Sequence, residues 1–429
     1  MDGAGELTEG RLQEIVEHCL CLALAEGAPL PADDEDWISG GALDSMGHVD
    51  VLLCIEKAVG LKDFFSRVEG LPPTTTRAIV DAVQEALAKR REVAQELATG
   101  TREGVAGAAE VAGWGFALGG RLVQAEELEQ QFALSVGTLS GRAGIQSVVR
   151  VSEEESEVTL AIRASQVALK RAQLDAGDMD WIIASSETSL GFPSLGSTLH
   201  SRLLARDDCG VLDVGGACVG LLNGLFVAGS LLAAGMASRI LVATADVHSR
   251  RLAPGQVAGE FGGLFGDGAS AFLVSRAEDA AASQHYRLGD FQFGCAGTFS
   301  SALVIGAGAK GEVSLQFDGE ALARAAVARL ERIIEEVALH TGLGLEAASS
   351  FATHQPNPRL LELLARQAGL PLEKFPVVAK TCGNLGSSTC GVALAKALDE
   401  HGTKPADQRG PIFLAAVGPG MLWGGGVLF

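Results

Sequence analysis

The stretch DVGGACVGLLNGLFVAGSLL, which begins at Asp213, places one cysteine, Cys218, after two glycines and an alanine and just ahead of a long apolar helical run. A free cysteine in an apolar run ordinarily behaves as a small hydrophobe. At a helix start it can also do chemistry. The thiolate is the reactive form, and the unpaired amides and dipole of a helix N-terminus favour that anion. Such a thiolate can accept an acyl group as a thioester. His354, in FATHQPNPRLLELLARQAGL, and Asn384, in KTCGNLGSSTCGVALAKAL, are two polar residues of a complementary kind. Asn is never charged and His can be neutral, so both suit the stabilisation of developing negative charge. An aspartate at 384 would repel it. Singly, each has an ordinary reading: a hydrogen-bonded histidine at a strand end, a turn at GNLGSS, a hairpin at FGDGAS. Ser45, in GALDSMGHVDVLLCIEKAVGL, follows Asp44 ahead of an amphipathic helix, and that pair alone reads as an N-cap.

The elements that must position these residues fall into two regions. In residues 1–92, Leu12, Ile15, Val16, Cys19, Leu20 and Ala23 follow a 3.6-residue period. A second helix begins near Asp44 and continues through Val49, Leu52, Leu53 and Glu56. TTTRAIVDAVQEALAKR opens with capping threonines and closes on basic residues, as a helix prefers. Residues 93–110 read as a linker. From 111 to 429 short apolar strands such as WIIASSE and RILVATADV alternate with helices such as LNGLFVAGSLLAAG, which predicts a layered α/β fold.

Composition narrows the function classes. The chain has 429 residues, enough for two or three domains, and its 47% hydrophobic content supplies a large aliphatic core. Its net charge of −20 argues against nucleic acid as a partner. Residues 1–92 carry 18 acidic against 8 basic side chains, or −10, half the total charge. The eight cysteines include no C-x-x-C pair and no zinc-type spacing, so no metal is expected. Most lie in apolar stretches, which points to free thiols in a reducing, cytoplasmic setting. The acidic N-terminus, MDGAGELTEGRLQEIVEHC, lacks a secretory pattern. Residues 219–237 approach membrane-span length, but Asn223 and several glycines mark a buried core helix, and no membrane partner is expected.

Two resemblances join these residues. The acidic helical segment resembles acyl carrier proteins, whose G-x-D-S-[LM] core opens the second of four helices; here Leu43 precedes the Asp, a small irregularity. The resemblance implies phosphopantetheine attached to Ser45 by a phosphopantetheinyl transferase, with Asp50 and Glu56 on the helix that partner enzymes dock against. Residues 111–429 resemble the β-ketoacyl-ACP synthase III family of the thiolase superfamily. The shared motifs are C-x-G at Cys218, FGDGA, HQ-x-N at His354, GN-x-x-x-[SA]-[ST] at Asn384 and the closing GPGMLWGGG. The expected fold is a four-helix carrier bundle followed by a thiolase-like α/β/α/β/α layering of two related halves. In such enzymes the cysteine is acylated. The His and Asn then hold the second thioester carbonyl as a malonyl group loses carbon dioxide. Phe192 of FPS either packs within its own loop or, as the resemblance implies, sits near the acyl pocket at a homodimer interface.

There are also departures. A Trp and an Arg commonly clamp coenzyme A; Arg142 is kept, Thr138 stands at the Trp position, and Glu260 occupies a segment where a further Arg is usual. Pro419, which has no N–H, stands in the loop that, in the family it resembles, lends an amide to the oxyanion hole, so either the Gly420 N–H takes that role or turnover is slow. The resulting expectation is a carrier fused to a fatty-acid- or polyketide-type condensing enzyme. It would take acyl-carrier or acyl-CoA thioesters and work with other synthase components. The fusion would raise the effective carrier concentration to about the millimolar range. The alternatives are an acyltransferase to an alcohol or amine, and a non-catalytic docking or chain-length partner.

Overall fold

The computed structural model describes residues 8–24, 28–43, 45–59, 73–99, 109–189, 191–277, 286–301, 303–307, 313–317, 319–405 and 409–429. The chain divides into two compact units, Met1–Arg102 and Glu103–Phe429.

The smaller unit contains α1 (Glu9–Ala23), α2 (Ser45–Val59) and α3 (Thr76–Thr99). Thr8 caps α1 by accepting the Arg11 N–H. Leu12, Val16, Cys19 and Leu20 form its buried stripe and pack with Val51, Leu52 and Ile55 of α2 and with Ile79, Val80 and Val83 of α3 around the buried Trp37. A fourth helix of the expected carrier bundle would fall within residues 60–72, outside the described residues. Helix α3 continues to Thr99, beyond the expected boundary at 92. Cys19 and Cys54 form a disulfide with their Cα atoms 5.7 Å apart. This corrects the expectation of free thiols for that pair, because packing α1 on α2 brings together two cysteines whose spacing gives no sign of pairing. Asp50 is exposed as a docking face requires, but Glu56 is buried and is not available to one.

The larger unit runs in chain order through β1 (Ala109–Leu118), β2 (Arg121–Gln124), α4 (Ala125–Gln131), β3 (Ser147–Arg150), α5 (Glu157–Ala172), β4 (Trp181–Ser185), α6 (Leu195–Leu203), β5 (Gly210–Asp213), α7 (Gly220–Ala233), β6 (Arg239–Val247), α8 (Gly259–Gly262), β7 (Asp267–Arg276) and β8 (Tyr286–Cys295). It continues through β9 (Leu303–Ala307), β10 (Val313–Phe317), α9 (Gly319–Thr341), β11 (Ser350–Thr353), α10 (Pro358–Gln367), α11 (Ala379–Cys382), α12 (Ser388–Thr403), β12 (Ile412–Gly418) and β13 (Leu422–Leu428). Strand β1 thus starts two residues before the expected start of this region.

Nine strands share the order β11-β12-β13-β8-β1-β7-β6-β4-β5. Within the sheet the two halves are joined by a short β1–β8 ladder, Glu110 to Arg287 and Val111 to Tyr286. Each half repeats one plan. Parallel pairs β4–β6 and β11–β12 are followed by antiparallel β7 and β13, and then by β1 and β8. Helices α7 and α12 share a core between the halves. Helices α5 and α6 cover the outer face of one half, and α9 and α10 that of the other. The result is the five-layer mixed α/β arrangement expected of a thiolase-like fold. Because α7 and α12 lie in the middle layer they are apolar nearly all round, and β6 is buried on both faces.

Leu225 on α7 is fully buried in this middle layer. Leu225→Ala is expected to cost about 2–5 kcal/mol in chemical denaturation of the larger unit. A loss within ~0.5 kcal/mol would show that α7 is not the close-packed centre described here.

Candidate active site

The turn that carries Cys218 is built by β5 and α7. After Asp213 the chain passes through Gly216 at φ 125° and Ala217 at φ 48°, and a 3-10 turn (Ala217–Val219) leads into α7. A Cβ on Gly216 would collide with Asn223 Nδ2, which donates to the Gly215 carbonyl at 2.8 Å. Only glycine fits there. Ala217 occupies a conformation that L-residues avoid, at a cost on the order of 1–3 kcal/mol. That turn holds Cys218, 7% exposed, at the start of α7. Gly418, at the end of β12, closes on it: a Cβ there would stand 3.4 Å from the Cys218 amide nitrogen.

The second half contributes His354 and Asn384. His354 follows β11, and its N–H donates to Ala415 of β12 at 2.8 Å. Gln355 anchors the segment: its Nε2 donates to the Pro376 carbonyl, and its Oε1 accepts the Val378 and Ala379 amides. Asn357 caps α10, with Pro358 in its first turn. Only the histidine of HQ-x-N is therefore left for chemistry. Burial pushes the His354 imidazole down to about 4, so the ring is neutral at physiological pH, and its Nδ1 is buried without a partner. Asn384 lies at the entry to α12. Its Oδ1 accepts the Gly386 amide at 3.0 Å and the Thr389 hydroxyl at 3.2 Å, which turns Nδ2 outward as a donor with no acceptor among the described residues. Its main chain pairs with Leu264 and Gly266, so FGDGAS serves as its support, and Asp267 there accepts the Val151 and Ser249 amides.

Three residues that the sequence reading passed over complete the site. Glu187 follows β4, while Asp246 and His248 lie at the end of β6 and just beyond it. Asp246 accepts the Glu187 amide at 2.6 Å and both the amide and the hydroxyl of Ser387. His248 Nε2 stands 3.4 Å from Glu187 Oε2. Gly386, at φ 59°, gives this group room, since a Cβ there would come within 2.5 Å of His248 Cε1 and 3.1 Å of Glu187 Oε1. Glu187 Oε1 has no hydrogen-bond partner among the described residues, and the carboxylate stands close enough to the Cys218 thiol for each to shift the ionisation of the other.

The electrostatics follow from burial among opposed charges. Burial alone would lower the His248 pKa, but its hydrogen bond to Glu187 and the Asp246 and Glu187 charges raise it to about 9. For Glu187 the balance runs the other way: burial raises it, and His248 and the thiol bond pull it below its ordinary value. Burial and then the Glu187 charge push Asp246 up to about 6. Cys218 departs from the expectation of a lowered pKa. Burial, the Glu187 charge and the hydrogen bond to Glu187 drive the thiol well above 9.0, and the favourable amide contribution of the helix start does not offset them. The thiol therefore rests protonated.

Other expected site residues lie elsewhere. Phe192, joined to Pro193 by a cis peptide, is 97% exposed, which rules out packing within its own loop. Arg142 sits on a π-helical turn (Thr138–Ala143) and faces Glu260 across 3.7 Å. Gly420, at φ 111°, directs its carbonyl to the Cys295 thiol, and Gly418 rather than Gly420 is the residue packed on the Cys218 amide. Ser45 is the first residue of α2; its side chain and Asp44 lie outside the described residues.

Fold and site together define a thiolase-like fold with a buried cysteine at a helix start between its two halves. Residues 212–297 match the family model for 3-oxoacyl-[acyl-carrier-protein (ACP)] synthase III, and residues 339–429 match the model for its C-terminal part. The chain is 29% identical over 323 residues to the β-ketoacyl-[acyl-carrier-protein] synthase III of Ruegeria sp., covering 75% of this chain and 98% of that protein. Two crystal structures of 3-oxoacyl-[acyl-carrier-protein] synthase III are each 27% identical. The Aquifex aeolicus enzyme has a TM-score of 0.66 over 75% of this chain and 99% of its own, and the Pseudomonas aeruginosa enzyme 0.67 over 75% and 98%. The larger unit is thus similar over its length to enzymes of the β-ketoacyl-ACP synthase III kind.

The charge arrangement sets a pH signature. The folded value of His248 lies above the ordinary 6.5, so the stability it contributes is full below pH 6.5 and is lost as pH rises through about 9. Histidine ring NMR should show one imidazole titrating near 9 and another near 4. His248→Gln and His354→Gln should remove these signals respectively. Both rings titrating near 6.5 would contradict the buried ion pair.

Proposed function

We propose that this chain is a carrier-fused condensing enzyme. The smaller unit carries phosphopantetheine on Ser45. The larger unit takes an acyl group onto Cys218 and condenses it with a carrier-bound, malonyl-type extender. The carrying observation is that one carboxylate, Glu187, acts electrostatically on both the buried Cys218 thiol of one half and the neutral His354 imidazole of the other, and its Oε1 would stand 3.1 Å from a Cβ on Gly386, two residues past Asn384. His354 and Asn384 are suited to donate to the carbonyl oxygen of the second thioester and to stabilise the enolate left after loss of carbon dioxide. Ser45 heads a 15-residue helix, a position that favours a phosphodiester. The attached arm, when present, supplies a thiol that holds acyl groups as thioesters. Relatives named as acyl-carrier-protein synthases, and the absence among the described residues of any helix long and apolar enough to cross a membrane, support a cytoplasmic enzyme of fatty-acid-type synthesis.

The donor is carrier-borne in this reading. Thr138 cannot stack on adenine; its hydroxyl donates to the Ser135 carbonyl at 2.7 Å. Glu260 opposes Arg142, which lowers that side chain's attraction for a phosphate. A carrier docks by its own surface and needs neither contact.

Intact-protein mass spectrometry tests the assignment. Acyl donors should add one acyl mass to the wild type and none to the larger unit of Cys218→Ala; continued labelling there would refute the nucleophile. A phosphopantetheinyl transferase should add one prosthetic arm to the wild type and none to Ser45→Ala. An unmodified wild type would refute the carrier reading. Acyl-carrier should load Cys218 at least ~10-fold more efficiently than the same acyl group on coenzyme A, about 1.4 kcal/mol. Equal efficiency would return coenzyme A to the list of donors.

A further inference from the structure

The Glu187–His248–Asp246 group has no part in the roles assigned to Cys218, His354 and Asn384, yet it borders the nucleophile. Asp246 fixes the Glu187 main chain at 2.6 Å, Ser387 fixes Asp246, and His248 holds Glu187 Oε2 at 3.4 Å. Glu187 Oε1 is thereby left with no hydrogen-bond partner among the described residues, on a carboxylate whose charge reaches the Cys218 thiol. Each neighbour holds the carboxylate in place and none competes for that oxygen. We propose that Glu187 is a catalytic residue of acyl loading: its carboxylate takes the Cys218 proton as sulfur attacks the donor thioester, and returns that proton to the departing thiol.

The step balances. The Cys218 S–H bond breaks and its proton passes to Glu187 as the new sulfur–carbon bond forms. The tetrahedral intermediate then expels the donor sulfur, and Glu187 gives the proton to it. The products are acyl-Cys218 and a free thiol, with Glu187 again a carboxylate. Such a relay is needed because the thiol rests protonated, so a preformed thiolate is not available for attack. His248 is the positioning residue: its positive charge keeps Glu187 ionised before attack and makes the protonated carboxyl a ready acid afterwards. His354 is neutral but belongs to the other half, where its ring serves the second thioester.

The inference rests on the reading of Cys218 as acyl acceptor, and the experiment separates the two. The full chain and its Glu187→Gln variant are loaded in single turnovers with one acyl group on two leaving groups: pantetheine, whose thiolate must be protonated to leave, and thiophenol, whose thiolate leaves unaided. Glutamine keeps an acceptor for His248 but can neither take the thiol proton nor return it, so attack should slow with both esters and expulsion only with the pantetheine ester, whose thiolate needs that proton. Expected is a loss of about 10²-fold or more with the pantetheine ester and a loss at least ~10-fold smaller with the thiophenyl ester, which lacks only the base. Wild-type rates with both esters, or equal losses with both, would overturn the role of Glu187. Failure of either ester to load the wild type would instead overturn the reading of Cys218.

Discussion

A carboxylate and an imidazolium buried against a thiol constrain the rest of this structure. An isolated buried charge is costly, and a pair is tolerated only when its remaining hydrogen-bonding groups are met. Here Asp246 and Ser387 meet part of that requirement from two strand ends and a helix start that lie far apart in sequence. Gly386 gives the imidazole the room a Cβ would take. The same charges decide the resting state of Cys218. A helix start alone favours thiolate, but full burial beside a carboxylate favours thiol, and the second effect is larger.

The twofold plan of the larger unit explains how so many functional groups reach one place. In each half, the residue after the first parallel strand (Glu187 after β4, His354 after β11) lies at a carboxyl end of the sheet. The entry to the middle-layer helix supplies the next group, Cys218 before α7 and Asn384 before α12. The third position lies at the end of the adjoining strand or just beyond it, His248 after β6 and Gly418, packed on the Cys218 amide, at the end of β12. Carboxyl ends of parallel strands are where open α/β sheets place their ligands. Two such ends facing one another put charged groups from one half against neutral donors from the other. In the roles proposed here, the charged set serves proton transfer at sulfur, and the neutral set serves an oxygen that gains negative charge.

Much of this was legible in the sequence, and the limits have physical causes. The order of motifs around Cys218, His354 and Asn384 announced the layered fold, because each marks a strand end or helix start that only this topology brings together. The stripe of Leu12, Val16, Cys19 and Leu20 announced α1 by its period. Glu187 was missed because it follows the apolar strand WIIAS as an ordinary polar residue. The available signal was that two buried strands, WIIASSE and RILVATADVH, both run into acidic side chains at their carboxyl ends. The rise of the Cys218 pKa was not legible, since it depends on that same neighbour. The disulfide between Cys19 and Cys54, 35 residues apart, follows from helix packing and not from spacing. Phe192 could be read either way from sequence, and its exposure leaves the whole ring for contact with something outside its own loop.

The central claim, that Cys218 waits as a thiol under the influence of Glu187, is open to one direct measurement: the rate of Cys218 alkylation by iodoacetamide as a function of pH, followed site by site by mass spectrometry. The account predicts a rate that is still climbing as pH passes 9.0, with no plateau below it, because thiolate remains the minor form there. A rate that levels off below pH 9.0 would show a thiol ionised by its helix start, and would contradict the account.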